Sequence, residues 1–230
     1  MRTASKKLDL ISSRRERLIK ESREIISLSA KTIISIHTSN FRQAVDLSKP
    51  VKKRLQELRK VAESDLVRYI LIPEQEFVES SVMYAISKQR RIPSIDNLAV
   101  SPTAYILGLL DAIGELKRSV YDSIRQNQIE NAEKKFRSME SFYTMLSSFA
   151  VYDNIVQGVK RKLDVARILI EDTRSAITEE VRRSEFMVTI KDLSDKIGAA
   201  PFTEHAKKGD PPGEPAMQEP EQYEETDSET

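Results

Sequence analysis

The sequence contains no cysteine and no tryptophan, and it has only two histidines among 230 residues. The absence of cysteine excludes a disulfide-stabilised fold, a thiolate zinc site and a cysteine nucleophile. No apolar stretch reaches the roughly 18 residues that a transmembrane helix needs, and the basic N-terminus lacks the apolar core of a signal peptide. We therefore predict a soluble, cytoplasmic protein that has no membrane partner.

Glycine and proline are scarce before residue 200, where turn-rich sheet proteins would need them every 8–12 positions. Apolar residues recur instead at spacings of three, four and seven, which is typical of helices with one buried face. The pattern predicts an all-α fold made of a bundle of long helices. The predicted helices span residues 6–38, 42–48, 50–72, 74–89, 103–126, 129–149, 152–184 and 189–197.

Prolines determine several of the predicted helix boundaries. Pro102 predicts a helix that begins near residue 103, because proline is tolerated in the first turn of a helix. Pro93 predicts a loop over residues 95–97. Pro73 either separates two helices or kinks one, because it cannot donate a hydrogen bond to the preceding turn.

Charge is distributed unevenly along the chain, although the formal net charge is only +1. Residues 201–230 contain nine acidic and two basic residues, together with five of the nine prolines. The first 200 residues carry a net charge of +8. A charged segment with few apolar residues cannot offset its ordering entropy. We therefore predict a helical domain over residues 1–200 and a disordered, acidic, proline-rich tail over residues 201–230.

Basic residues are concentrated in two regions of the helical domain. Residues 1–60 contain 16 basic and six acidic residues, and a second cluster consists of Lys88, Arg90 and Arg91. This surplus favours a positive surface that follows nucleic-acid phosphates with weak base specificity. No zinc finger or RNA-recognition aromatic pair is present in the sequence, so sequence-specific duplex recognition is not expected.

Two pairs of carboxylates stand at helical spacing. Glu76 and Glu79 are three residues apart, and Asp111 and Glu115 are four apart, so each pair shares a helix face. Like charges at these spacings destabilise an isolated helix by about 0.2–0.5 kcal/mol. Asp111 also interrupts an almost continuous apolar run. A carboxylate in that position needs a cation, a hydrogen-bond donor or a raised pKa.

These acids have two interpretations. In the first, Asp111 and Glu115 pair with Arg118 or with a basic group from another helix and form a structural network. In the second, the two acidic pairs meet across a helix contact and bind Mg²⁺ or Mn²⁺, which prefer oxygen ligands. Gly108 and Gly114 flank Asp111 and would allow another backbone or a phosphodiester to approach closely.

Other catalytic motifs are absent from the sequence. The six glycines are scattered singly, so there is no glycine-rich phosphate loop. No Glu-x-x-His pair is present, which argues against a di-iron carboxylate bundle. His37 lies on a mostly apolar helix face, and we predict a hydrogen-bonded structural histidine there.

Several segments resemble the translin family, and within it the translin-associated factor X branch. The strongest match is YILGLLDAIGELKR at residues 105–118, which resembles the family pattern YLLGxxDxxGELxR. QEFVE at residues 75–79 is similar to the QEYVE of that branch. ERLIKESREI at residues 16–25 and KTIISIH at residues 31–37 are similar to its N-terminal segments. The resemblance extends over residues 14–185.

The resemblance implies an all-α subunit that assembles into a hollow oligomer, commonly an octamer, and binds single-stranded RNA or DNA. In the factor X branch it also implies a Mg²⁺-dependent endoribonuclease. The catalytic carboxylates of that branch fall on Glu76, Glu79 and Asp111, and Glu115 is a fourth acidic neighbour. Thr38 follows His37 at a position where the relatives have arginine, which removes one expected phosphate contact.

We therefore predict a Mg²⁺-dependent endoribonuclease that acts on single-stranded RNA within a homo-oligomeric shell. Mg²⁺ or Mn²⁺ would be held by the four carboxylates, Glu76, Glu79, Asp111 and Glu115. The RNA backbone would be held by basic side chains, namely Lys88, Arg90, Arg91 and Arg118. One alternative is a non-catalytic oligomer that binds single-stranded RNA or DNA. Another is a structural bundle whose basic N-terminal helix docks on an acidic partner.

Overall fold

The computed structural model describes residues 1–197, which contain helices and no strand, so the all-α prediction is confirmed. Residues 1–185 form one compact unit, and a second unit begins at Phe186. The predicted tail over residues 201–230 lies outside the described residues. The helices are α1 (Arg2–His37), α2 (Phe41–Ala62), α3 (Leu71–Ser87), α4 (Ile95–Leu98), α5 (Pro102–Arg125), α6 (Ile129–Ser147) and α7 (Val159–Lys196).

Helices α1 and α2 pack against each other along their length. The buried stripe of α1 includes Leu18, Ile25 and Ile36, which recur at the spacing of helical turns. The chain reverses at Asn40, whose side-chain oxygen accepts a hydrogen bond of 3.2 Å from the backbone N–H of Gln43 and caps α2. This hairpin positions the C-terminal end of α1, which carries His37.

The predicted break between the helices over residues 42–48 and 50–72 is wrong, because α2 continues through Lys49 and Pro50. Proline lacks the N–H that would bond the preceding turn, which costs about 3 kcal/mol inside a helix. The helix nevertheless buries an apolar face on both sides of Pro50. Tertiary packing of this face outweighs the local penalty. The buried residues are Ala44, Val51, Leu55, Leu58 and Ala62.

The predicted helix over residues 50–72 is also wrong, because α2 ends at Ala62. Glu63 adopts a positive φ of 49°, which ends the helix. A 3₁₀ turn, Val67–Tyr69, leads into α3. Pro73 is the third residue of α3, where its missing N–H has no intrahelical partner, so the break precedes the proline and α3 is not kinked there.

A short helix replaces the predicted loop over residues 95–97. The Ser94 hydroxyl accepts a hydrogen bond of 3.2 Å from the backbone N–H of Asn97, and the Asn97 side chain accepts one of 3.1 Å from the Ser94 backbone. This reciprocal capping box stabilises α4, and Ala99 ends it in the left-handed region at φ 53°.

Helix α5 begins at Pro102, close to the predicted start, with Ser101 as its N-cap. It packs against α3 and α6. A Cβ added to Gly108 would lie 2.7 Å from the Gln75 carbonyl oxygen and 2.7 Å from the Val78 Cβ of α3. Gly108 therefore allows the two backbones to approach each other closely, as one of the sequence-based expectations proposed.

Helix α7 was predicted as two helices over residues 152–184 and 189–197, but it is one helix from Val159 to Lys196. Gly158 has φ +84°, and the helix begins directly after it. No proline or glycine occurs between residues 159 and 197 to interrupt the helix. The first part of the predicted helix is not α-helical: Tyr152 ends a 3₁₀ segment, Ser148–Tyr152, that follows α6, and residues 153–158 form turns.

Ion pairs hold the first part of α7 against α5 and α6. Lys117 Nζ lies 2.6 Å from Asp172 Oδ2, and Arg174 donates to Glu140 over 2.9 Å. Buried residues of α7, among them Leu163 and Ile170, belong to the same core cluster as α5 and α6. None of the helices described within residues 1–197 is long and apolar enough to cross a membrane.

Candidate functional site

The two predicted acidic pairs come together at the contact between α3 and α5. Glu76 and Glu79 lie on α3, and Asp111 and Glu115 lie on α5. All four side chains are partly buried, and the charges of Asp111 and Glu115 act on both α3 carboxylates. The acids predicted from their spacing therefore share one electrostatic environment, which we call the carboxylate cluster.

The largest pKa shift among the four acids is that of Glu79. Burial is the largest cause that raises its pKa to about 8, and the charges of Asp111, Glu76 and Glu115 add to the effect. Burial and the charge of Asp111 also raise the pKa of Glu76. The positive charge of Lys162 opposes both shifts without cancelling them. The cluster thus crowds carboxylates into a partly buried place, where a proton or a cation relieves the repulsion among them.

Asp111 is paired with Lys162 of α7. The Lys162 ammonium donates to Asp111 Oδ1, and both side chains are about one-third exposed, at 34% and 31%. A cavity of about 440 Å³ opens beside the pair and is lined also by Gly114 and Arg161. Nothing lies within 4 Å of a Cβ added to Gly114. This side of the cluster is open to a ligand.

Glu115 is paired with His37 at the end of α1. Glu115 Oε2 lies 2.7 Å from His37 Nε2, and the His37 side chain is only 6% exposed. The hydrogen bond to His37 is the largest cause that lowers the pKa of Glu115, and Arg118 lowers it further. Asp122 Oδ2 lies 3.6 Å from His37 Nδ1 on the other side of the ring. His37 is hydrogen-bonded, as the sequence predicted.

The donor set of the carboxylate cluster fits a hard divalent cation, since it consists of carboxylate oxygens whose mutual repulsion a cation would relieve. Within residues 1–197, however, no three His or acidic side chains are gathered closely enough to hold a metal ion as they stand. Lys162 provides the positive charge that a metal ion would bring to Asp111. The metal-ligand roles of the four acids stay predictions.

The predicted phosphate-binding residues fall into two places. Arg118 lies on α5, exposed and within electrostatic range of Glu115. Lys88, Arg90 and Arg91 are exposed at the C-terminal end of α3 and just beyond it. Nine residues of helix separate Lys88 from Glu79, which corresponds to about 14 Å along the helix axis. Lys88, Arg90 and Arg91 therefore lie beside the carboxylate cluster and not within it.

Aromatic rings orient two of these basic side chains. Lys88 Nζ lies 4.3 Å from the ring centroid of Phe41, and Arg90 Cζ lies 5.7 Å from that of Tyr84. Cation–π contacts of this kind stabilise an exposed charge by about 0.5–1 kcal/mol. They limit the freedom of both side chains and leave the charges available to phosphate.

A family model described as the Translin family matches residues 13–172. The chain belongs to the translin family. Among curated proteins, uncharacterised protein MJ0175 of Methanocaldococcus jannaschii is 32% identical over 180 residues, which are 77% of this chain and 81% of the relative. The family resemblance predicted from the residues is confirmed, and the assignment to the factor X branch stays a prediction.

Solved structures support the fold of this translin-family chain. Crystal structures of AfC3PO, alone and in complex with duplex RNA, are 30% identical to it with a TM-score of 0.73. The alignment covers 80% of this chain and 98% of AfC3PO. The structure of apo-NeC3PO is 22% identical over 77% of this chain and 95% of its own, with a TM-score of 0.71, and it supports the fold alone.

Sequence reasoning missed the site role of Lys162 in this translin-family chain. Lys162 stands three residues after Val159 and four before Ala166, both of which are buried on the inner face of α7. That spacing could have indicated a lysine directed toward a buried acid. The partner, Asp111, lies 51 residues away, so local pattern alone does not identify the pair.

Sequence reasoning also missed Glu74, which is buried to 1% exposure near the start of α3. Its Oε1 accepts hydrogen bonds of 2.7 and 2.5 Å from Arg59 of α2. Its Oε2 accepts bonds of 2.9 and 2.7 Å from the backbone N–H and hydroxyl of Ser101. Glu74 thus connects the end of α2 and the N-cap of α5, and it anchors the helix that presents Glu76 and Glu79.

Proposed function

We propose that this translin-family chain is a subunit of a metal-dependent endoribonuclease that acts on single-stranded RNA. The crowding of partly buried acids in the carboxylate cluster is the observation that carries the proposal. Four partly buried acids act on one another there, and the pKa of Glu79 is raised to about 8. A fold under no functional demand has no need of such repulsion at a helix contact.

RNA as the ligand is supported by two further observations. The AfC3PO structure, which is similar over most of this chain, was solved in complex with duplex RNA. The exposed basic residues Lys88, Arg90, Arg91 and Arg118 suit a phosphate backbone held by charge. Because no base-reading module accompanies them, binding should depend on salt more than on sequence.

The proposed site uses Glu76, Glu79 and Asp111 as oxygen ligands of Mg²⁺ or Mn²⁺, with Glu115 as a supporting acid. The bound ion supplies a water of lowered pKa and stabilises negative charge on the phosphate that is attacked. The chain itself performs the positioning. His37 fixes Glu115 over 2.7 Å, and Glu74 anchors the first turns of α3.

In this proposal, Lys162 would exchange its partner Asp111 for a phosphate. Its ammonium pairs with Asp111 in the structure and lines the open cavity beside the cluster. If a cation were held by the Asp111 oxygens, the ammonium would be available to hold a phosphate oxygen in that cavity. Arg161, which lines the same cavity, would hold the neighbouring phosphate.

We further propose that the subunits form a homo-oligomer, with eight copies as the family resemblance implies. Large apolar side chains are exposed on α7 in both units of the chain, and helix faces of this kind commonly form interfaces. In residues 1–185 they include Val165 and Ile168, which are 48% and 64% exposed. In the second unit they include Phe186, Val188 and Leu193.

The test is cleavage of a labelled single-stranded RNA with Mg²⁺ and with EDTA, followed on a denaturing gel. The wild type should produce fragments only with the metal ion. Asp111→Asn and Glu76→Gln should lower the cleavage rate by at least about 100-fold, because each removes a charged ligand. A duplex of the same sequence, run in parallel, measures the preference for single strands.

Glu179→Gln is the matched control, because Glu179 is an exposed carboxylate of α7 outside the cluster. It should cleave like the wild type, and size-exclusion chromatography should give one oligomer size for all variants. Full activity in both Asp111→Asn and Glu76→Gln, or undiminished cleavage in EDTA, contradicts the proposed site.

The second candidate function is a non-catalytic oligomer that binds single-stranded RNA or DNA. The pairing of Asp111 with Lys162 and of Glu115 with His37 favours it, because both α5 acids have basic partners without a metal ion. It predicts RNA binding that weakens steeply with salt, is indifferent to Mg²⁺ and yields no fragments on the same gel.

A further inference from the structure

A second cavity lies on the far side of His37 from the carboxylate cluster. Its volume is about 510 Å³, within the range of small-molecule sites, and it is enclosed by the ends of α1 and α3 and by α5 and α6. His37 and Asp122 both line it. Since His37 also contacts Glu115, a single imidazole ring separates this cavity from the carboxylate cluster.

Positive charge predominates in the lining of this cavity. Arg90, Lys134 and Lys135 contribute three basic side chains, and Asp122 is the one carboxylate among the lining residues. Arg125 also bonds to Asp122 over 3.2 Å, which neutralises part of its charge. The cavity therefore has a surplus of about two positive charges, and it suits a ligand with two negative charges.

Lys135 is the lining residue whose ammonium most needs a negatively charged partner. Its half-buried ammonium donates to the Ser119 carbonyl over 3.2 Å and to the Ser123 hydroxyl over 2.8 Å. Within residues 1–197 it has no carboxylate at ion-pair distance. Burial lowers its pKa, and the more distant charge of Asp122 raises it. An ammonium has three N–H donors, so one remains for an anion.

Side-chain amides lie beside these charges. Gln126, Gln128 and Asn131 line the same cavity, and Asn131 donates to Gln128 over 3.1 Å. Amides present both donors and acceptors, which suit the hydroxyls of a ribose and the edge of a base. The cavity thus combines cations for a phosphate with neutral polar groups for the rest of a nucleotide.

We propose that this cavity binds the terminal phosphate monoester of a nucleotide, with the phosphate on Lys135, Lys134 and Arg90. A monoester carries a charge of about −1.5 to −2 at neutral pH, which matches the surplus, whereas an internal phosphodiester carries one negative charge. The proposal rests on the proposed function in one respect, since it identifies the ligand as the phosphorylated end of an RNA strand bound beside the carboxylate cluster.

The experiment measures affinity by fluorescence anisotropy in EDTA, so that no cleavage occurs. The probes are one short single-stranded RNA with a 5′-phosphate, with a 3′-phosphate or with neither, and adenosine monophosphate and inorganic phosphate serve as competitors. The wild type should bind one of the phosphorylated RNAs about tenfold more tightly than the unphosphorylated RNA, since charge-assisted hydrogen bonds are the strong ones. Adenosine monophosphate should remove this preference at lower concentration than inorganic phosphate.

Lys135→Met should reduce the preference to about one, and it should bind unphosphorylated RNA like the wild type. Arg90→Gln is a second variant, which keeps the proposal testable if Lys135→Met does not fold by circular dichroism. Lys191→Met is the matched control, because it removes an equal charge from an exposed position on α7 and should retain the preference.

The two proposals fail in different ways. If RNA binds but the three RNAs have equal affinity, or if Lys135→Met and Arg90→Gln keep the preference, the cavity proposal is wrong and the nuclease proposal is unaffected. If no RNA binds while adenosine monophosphate binds to the wild type and not to Lys135→Met, the cavity is a phosphate monoester site, but its assignment to an RNA end and the nuclease proposal are both wrong.

Discussion

Glu74 and Glu79 lie five residues apart on α3, and their environments are opposite. Glu74 is almost wholly buried, yet both of its oxygens are used by Arg59 and Ser101. Glu79 is less buried, but its surroundings are mainly negative, and its pKa is raised to about 8. Depth of burial therefore does not distinguish the structural acid from the candidate functional acid. The two acids are distinguished by the number of hydrogen-bond donors and cations that compensate each carboxylate.

The difference follows from how each acid meets its neighbours. Glu74 lies where two other elements end, so a guanidinium, a hydroxyl and a free backbone N–H converge on it. Glu79 lies along the middle of the α3–α5 contact, where backbone donors are already used within the helices. A carboxylate at a helix terminus is readily satisfied by the fold, whereas one at mid-helix depends on side chains or on a ligand.

The largest expected effect is the loss of stability in Glu74→Ala. Removing this carboxylate leaves Arg59 partly buried without its partner and weakens the N-cap of α5, which should cost about 3 kcal/mol in the free energy of unfolding. Urea denaturation followed by circular dichroism measures the change. Glu79→Gln is its counterpart and should lose no stability at neutral pH. Equal losses in the two variants would contradict the contrast between the two acids.

An intermediate effect is expected for Gly108→Ala. A new Cβ would lie 2.7 Å from the Gln75 carbonyl and push α3 away from α5, at a cost of about 1–3 kcal/mol in unfolding free energy. Gly114→Ala has open space at its Cβ and should gain up to about 1 kcal/mol from helix propensity. Comparison of the two thermal midpoints checks this. A tolerated Gly108→Ala would mean that the helix spacing, on which both acids depend, is not fixed there.

The smallest expected effect is a pH dependence of stability, measured in EDTA. The folded chain keeps a proton on Glu79 up to pH about 8, whereas in the unfolded chain its pKa is 4.5, so folding is progressively weakened as pH rises between these values. Glu79→Gln cannot lose that proton. Relative to the wild type it should therefore become more stable by about 1 kcal/mol as pH rises from about 6 to about 7.

This last prediction is checked by comparing the urea midpoints of the wild type and of Glu79→Gln at each pH. A difference between wild type and Glu79→Gln that stays constant with pH would show that Glu79 is ionised throughout. In that case the crowding of negative charge at the α3–α5 contact is relieved by other means, and the contrast with Glu74 disappears.

Local pattern predicted the acids of the site but not their partners. Glu76, Glu79, Asp111 and Glu115 stand at helical spacing, so the sequence places each pair on one face. One interpretation of the sequence brought the two pairs together across a helix contact, and the structure places them together between α3 and α5. The bonds to Lys162 and His37 join residues 51 and 78 positions apart, and only the packing of whole helices determines them.

The fold was predicted least well where tertiary contacts oppose or replace a local signal. The sequence divided α2 into two predicted helices, over residues 42–48 and 50–72, whereas its buried face continues past Pro50. The capping box of Ser94 and Asn97 formed a helix where Pro93 alone had indicated a loop. By contrast, Pro102 agreed with the N-cap of Ser101, and the start of α5 was predicted to within one residue.

Lys162 gives the folded chain a counter-ion of its own. Since the ammonium of α7 accompanies Asp111, the C-terminal helix can dock on α5 in a cell compartment that is short of divalent ions. If the proposed cation binds, folding and cation binding would then be separate events, and the cation could be gained or lost without unfolding the chain. The fold of the subunit would not depend on the cation.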